Sequence, residues 1–158
     1  MPRSEAPPAD ACPECERKHT PEQGCLRGVV LVCGGRWYGR TDKHATTEQR
    51  RAAKAQRLAL AKALNSLDER MVIEAVRHGD AKGADVLSGK WARAMGIEEQ
   101  ACPADWNTHG RAAGPVRNAA MLEAGGVEVV VAFPGNKGTA DMVRQARAFG
   151  GVRVWDRR

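Results

Sequence analysis

The sequence predicts an α/β domain, a mostly parallel sheet covered by helices on both sides. Three observations predict it. Short apolar runs alternate with helix-periodic segments from Gly28 onward. The clearest runs, Val29 to Cys33 and Val127 to Phe133, are nearly continuous rather than alternating, as in strands buried on both faces. The chain has 158 residues, 42% of them apolar, which suffices for one sizeable core.

The elements follow in order. Residues 1–27 hold five of the eight prolines and no periodicity, so they read as an appendage to a domain spanning 28–158. Val29 to Cys33 forms a first strand, stopped by Gly34-Gly35. Thr46 to Leu67 reads as a long helix, because Ala53, Leu60, Leu64 and Leu67 align on one stripe. Met71 to Val76 is a second strand, stopped by His78-Gly79. Ala84 to Met95 is helical, Glu98 to Cys102 a weak strand, and Pro115 to Ala124 a helix. Val127 to Phe133 is the strongest strand. Thr139 to Phe149 is helical and Val152 to Trp155 closes the chain as a short strand.

Apolar residues at 42% together with charged residues at 28% exclude a disordered tail or a fibrous protein. No run approaches the ~20 apolar residues of a membrane span, and the N-terminus has no apolar signal region. A membrane partner is therefore not expected, and the cytoplasm is the default location. The net charge of +6 and pI near 9.4 point to an anionic partner. Much of the excess lies between Lys43 and Arg70, where a solvated basic helix face is the plain reading. Aromatics are only 4%, so aliphatic packing builds the core. Trp91 and Trp155 read as core or structural residues, and Trp37 fits either role.

In such sheets ligands bind outside the carboxyl ends of the strands. Three strand-like runs end there in glycine turns: Gly34-Gly35-Arg36, His78-Gly79 to Asp85, and Gly135-Asn136-Lys137-Gly138-Thr139. Bare amides and a following helix start suit a phosphate. Neither a Walker A loop nor a dinucleotide fingerprint is present. If Pro115 opens a helix, Arg117 lies in its first turn, where a cation needs a counter-anion. That anion is a bound phosphate, or else Asp85 or Asp105; Lys137 is placed the same way. Asp85 reads as a cap or a ligand contact, and His78 as a ligand contact or a structural histidine. Trp106, on a loop, either stacks on a base or covers a core edge.

These motifs resemble the YspA-like branch of the SLOG superfamily. The resemblance is carried by Val32-Cys33-Gly34-Gly35-Arg36, by His78-Gly79 with Gly83-Ala84-Asp85, by Pro103 to Trp106 with His109 to Asn118, and by Phe133-Pro134-Gly135 with Gly138 to Val143. It runs from about Gly28 to Trp155. It implies a Rossmann-like three-layer sandwich that binds nucleotides or nucleotide-derived molecules. Gly34, Gly35 and Arg36 would flank one end of the ligand; Arg117, Asn118 and the Gly135 to Thr139 loop would hold a phosphate. Related phosphoribohydrolases carry a catalytic glutamate where this chain has Met142, with Asp141 one residue earlier. A one-residue shift turns a helical side chain by ~100°, so Asp141 is expected to face away from the site. Asn136 replaces a glycine of the related loop.

Cys12, Cys15, His19 and Cys25 supply four zinc-type ligands within the appendage, and Cys33 or Cys102 could stand in for His19. The span is similar to a zinc knuckle, with His19 one place early, which hints at single-stranded nucleic acid. The sequence thus predicts a nucleotide-ligand binder serving as sensor, sequestering protein or carrier, with structural zinc and a homo-oligomeric state. The alternatives are hydrolysis of a nucleoside monophosphate through Asp141 or Asp105, and single-stranded nucleic-acid binding.

Overall fold

The computed structural model describes residues 11, 12, 16 and 25–158. Five strands form one sheet in the order β3-β2-β1-β4-β5, and every neighbouring pair is parallel. The strands are β1 (Arg27–Cys33), β2 (Val72–His78), β3 (Glu98–Ala101), β4 (Val127–Ala132) and β5 (Arg153–Asp156). The helices are α1 (Thr47–Asp68), α2 (Ala84–Ala94), the four-residue α3 (Trp106–His109), α4 (Ala113–Glu123) and α5 (Lys137–Phe149). This is a Rossmann-like α/β sandwich.

The central strands explain the two-sided cover. On β1, Val30 and Val32 point into a cluster with Leu60, Leu64 and Ala92, beneath α1 and α2. Their neighbours Leu31 and Cys33 point the other way, toward Met121, Leu122, Met142 and Val143 of α4 and α5. The continuous apolar run therefore follows directly from having a helical layer on each face. The stripe expected on α1 is buried as a unit: Ala53, Leu60, Leu64 and Leu67 are all in the core. Its start is fixed by a capping box, in which Thr46 Oγ1 accepts from Gln49 N–H and Gln49 Oε1 from Thr46 N–H.

Several boundaries differ from the sequence reading by a few residues, and three differences have a clear physical reason. Strand β2 does not stop before His78 but includes it, because Arg77 and His78 pair with Gln100 and Ala101 of β3. Arg77 tolerates burial because its guanidinium donates to Gln100 Oε1 and to the Met121 and Gly125 carbonyls at the end of α4. Helix α4 begins at Ala113, so Pro115 does not open it. Proline fits the third helical position because the first N–H groups of a helix have no internal partner. Trp106 is not on an irregular loop but opens α3, whose start is capped by Asp105. Among the described residues no helix is long and apolar enough to cross a membrane.

The loops after β1, β2 and β4 are locked to one another by backbone. Gly35 N–H donates to Pro134 O over 2.9 Å, and Ala84 N–H to Gly35 O over 3.4 Å. Gly83 has φ +85°, and a Cβ there would run into the Gly35 carbonyl and lie 2.8 Å from the Arg36 carbonyl. Gly83→Ala is therefore expected to cost more than about 2 kcal/mol, since strain and a backbone clash combine. Urea unfolding reads the loss; a variant as stable as the parent would disprove the packing argument.

Candidate functional site

Strand order reverses at β1, from which the chain winds first toward β2 and later toward β4. A cleft of about 560 Å³ opens there, over the carboxyl ends of the strands. The volume suits a small organic ligand. Of the expected ligand residues, Gly34 and Arg36 line it from the β1 loop, and Gly79 and Asp85 from the β2 loop. Trp106, Arg117 and Asn118 line it from the β3–β4 connection, and Asn136, Lys137, Gly138 and Thr139 from the start of α5. Residues far apart in sequence thus face one space.

Three expected residues are not in the lining. Gly35 and Gly135 lie behind it, where they let the loops touch: a Cβ on Gly135 would fall 2.8 Å from Gly35 N. His78, read as either a ligand contact or a structural histidine, takes an interior position. It is 1% exposed, and its Nδ1 accepts the Asp80 N–H. The other nitrogen, Nε2, is left to donate to Glu99 Oε1 over 2.9 Å, and Arg93 pairs with the same carboxylate. His78 shapes the loop from inside, holding Asp80 at φ +55°.

Arg117 keeps its place in the cleft but not the reason given for it. With α4 starting at Ala113, Arg117 lies beyond the first turn, so the dipole does not force a counter-anion on it. Its guanidinium donates to the Gly79 and Cys102 carbonyls, tying the ends of β2 and β3, and to Asn118 Oδ1. Among the described residues no carboxylate lies within ion-pair distance of it, although Asp85 is near enough for the two charges to interact. Lys137 does occupy the first position of α5, and the Asn136 side chain leaves that start uncapped. The first amides of α5 therefore remain as donors.

The two proposed catalytic carboxylates separate. Asp105 lies outside the cleft as an exposed cap accepting from Thr108 N–H. Asp141 lines the cleft rather than turning away, but Asn118, Arg144 and Gln145 all donate to it. Burial works to raise its proton affinity, yet these hydrogen bonds outweigh burial and hold the carboxyl below its ordinary range. Met142, at the position of the related enzymes' glutamate, is fully buried in the core.

Sequence reasoning missed Arg111, a further cation in the lining, and the role of Cys33 as part of the wall. Arg111 follows a glycine in a short turn, which was the available signal. Burial pushes the Cys33 thiol up to about 12, helped by Asp85, so it stands in the wall as a neutral group. In the appendage, Cys12 Sγ and Cys25 Sγ lie 3.4 Å apart. Cys15 and His19 lie outside the described residues.

Asp85 is 5% exposed, and burial raises its carboxyl from 3.8 to about 6, against the pull of the Ala81 N–H. Since the unfolded chain releases this proton at lower pH, the folded state loses stability as pH rises from 3.8 to about 6. Asp85→Asn keeps an acceptor for Ala81 and removes the charge. The variant is expected to gain on the parent between pH 4 and 7, by up to about 3 kcal/mol. Urea unfolding across that range checks this; a gap that does not change with pH would refute it.

The model of the YspA, cpYpsA-related SLOG family matches residues 28–109, just over half of the chain. That span includes the β1 and β2 loops and Trp106, while Arg117 and the α5 loop follow it. The chain is 38% identical over 82 residues to the Gene 61 protein of Mycobacterium phage D29, a match covering 48% of this chain and 65% of that protein. It thus spans a little under two thirds of that relative. No solved structure matches the chain. On its sequence match and its parallel α/β architecture, the chain belongs to the YspA, cpYpsA-related SLOG family.

Proposed function

We propose that the chain binds a nucleotide or nucleotide-derived small molecule in the cleft at the strand ends, as a sensor, sequestering protein or carrier. One observation carries the reading. Arg36, Arg111, Arg117 and Lys137 all line a single cleft, together with the uncapped start of α5. In this reading Lys137, the first amides of α5 and the Thr139 hydroxyl take the phosphate. Trp106 is half exposed on the rim and offers a face for the base. Family membership is consistent with nucleotide-related binding or processing.

Binding is favoured over hydrolysis by the carboxylates. Cleaving an N-glycosidic bond needs a carboxylate against the developing positive charge on the sugar. Met142 cannot supply one, and the Asp141 oxygens are occupied by three donors. Calorimetry with the common nucleoside monophosphates is expected to give saturable binding, with Lys137→Glu weakening it at least tenfold, about 1.4 kcal/mol. Release of free base that disappears in Asp141→Ala would establish the hydrolase instead.

A structural zinc in the appendage and self-association belong to the same reading. Two thiolates on one tetrahedral zinc lie about 3.8 Å apart, close to the Cys12–Cys25 separation. Native mass spectrometry of the full chain is expected to show one zinc per subunit, lost in Cys12→Ser/Cys25→Ser, and more than one subunit. Metal-free or monomeric protein would remove the corresponding part.

A further inference from the structure

The positive charge of this chain has a second focus that, Arg36 apart, the cleft does not use. Residues 36–62 carry eight basic side chains and two acidic ones. Several arginines elsewhere find acids, Arg27 with Glu74, Arg144 with Asp141, Arg147 with Asp156 and Arg153 with Glu128, while Arg77 and Arg117 are held by carbonyl oxygens. Among the described residues, none of the eight basic side chains in 36–62 makes an ion pair. Helix α1 offers these cations little intrahelical acid beyond Glu48.

The tertiary structure joins these charges to the cleft. Arg50, Lys54 and Arg57 share one face of α1 by their spacing of four and three residues. That face meets the loop after β1: Arg57 Nη1 donates to Gly39 O over 2.7 Å, and Arg50 donates to the Ala45 and Lys43 carbonyls. At the other end of the loop Arg36 lines the cleft. Next to it Trp37 is 63% exposed, with the Arg40 guanidinium 4.9 Å from its ring centroid. A large ring left in water beside an ordered arginine is a stacking platform for an unpaired base.

We infer that this surface carries the backbone of a single-stranded nucleic acid, with Trp37 stacking a base and the terminal nucleotide entering the cleft. Exposed cations without acid partners supply the sequence-independent attraction to phosphates, and an exposed indole beside them distinguishes single strands from duplex. The placement of the strand's end rests on the proposed cleft ligand; the surface along α1 does not.

Fluorescence anisotropy of the full chain with 12-mers of oligo(dT) and oligo(U), beside calorimetry with a nucleoside monophosphate, tests this. The two oligomers separate DNA from RNA. The oligomer is expected to bind at least tenfold more tightly than the monophosphate. Arg51→Ala/Lys54→Ala, which removes two side chains that make no hydrogen bond in the fold, is expected to weaken the oligomer about tenfold. It should lower the salt slope by about 1.4 and leave the monophosphate unchanged. Trp37→Ala is expected to weaken the oligomer roughly tenfold without altering the salt slope. If the oligomer binds no more tightly than the monophosphate, or ignores all three substitutions, the inference falls while the cleft reading stands. If no monophosphate binds but the α1 substitutions still weaken the oligomer, the cleft reading falls and the surface along α1 stands. Binding to phosphatidylserine vesicles in place of either oligomer would overturn the inference in favour of a membrane surface.

Discussion

The site depends on the close backbone approach of three strand-end loops. The Gly35 amide and carbonyl are both spent on neighbouring loops, on Pro134 and on Ala84. Side chains are excluded from these contacts: Gly34, Gly83 and Gly135 each sit where a Cβ would strike the next loop. Because the loops are fixed to each other rather than to solvent, the start of α5 is held against the ends of β1 and β2. A cleft built this way has its donors aimed before any ligand arrives, which reduces the ordering cost of binding.

Around that frame the charges are arranged unequally. Among the described residues the cations of the cleft make no ion pair with a carboxylate, whereas its acids are restrained. Asp141 is tied by three donors, and Asp85 is buried against the turn it braces. Arg117 is held by carbonyl oxygens, which orient its guanidinium without cancelling its charge. The result gathers four cations, one restrained carboxylate and one buried carboxyl around a single cleft. His78, Glu99 and Arg93 form a separate chain of contacts behind the β2 loop, and Gly89 of α2 leaves the room they need.

Much of the fold was legible because its signals are local. Val30 and Leu31 announce a two-sided strand by being adjacent and apolar, and Leu60, Leu64 and Leu67 announce an inward helix stripe by spacing alone. Boundaries failed where a distant partner overrode the local signal. His78 stays in β2 because β3 pairs with it, and α4 gains two residues before Pro115. The short helix after Asp105 carries too few residues to show periodicity.

Glycine and basic residues at strand ends were visible in the sequence, and so were the sheet and the helical layers, since each is set by neighbours within about four positions. Only the tertiary structure decided which of those residues share a space. Gly79 holds Arg117 from 38 residues away, and Asn118 reaches Asp141 across 23. Such contacts decide whether a carboxylate is free and whether a histidine faces in or out. They depend on chain folding and not on spacing, because hydrogen bonds and burial act through distance in space.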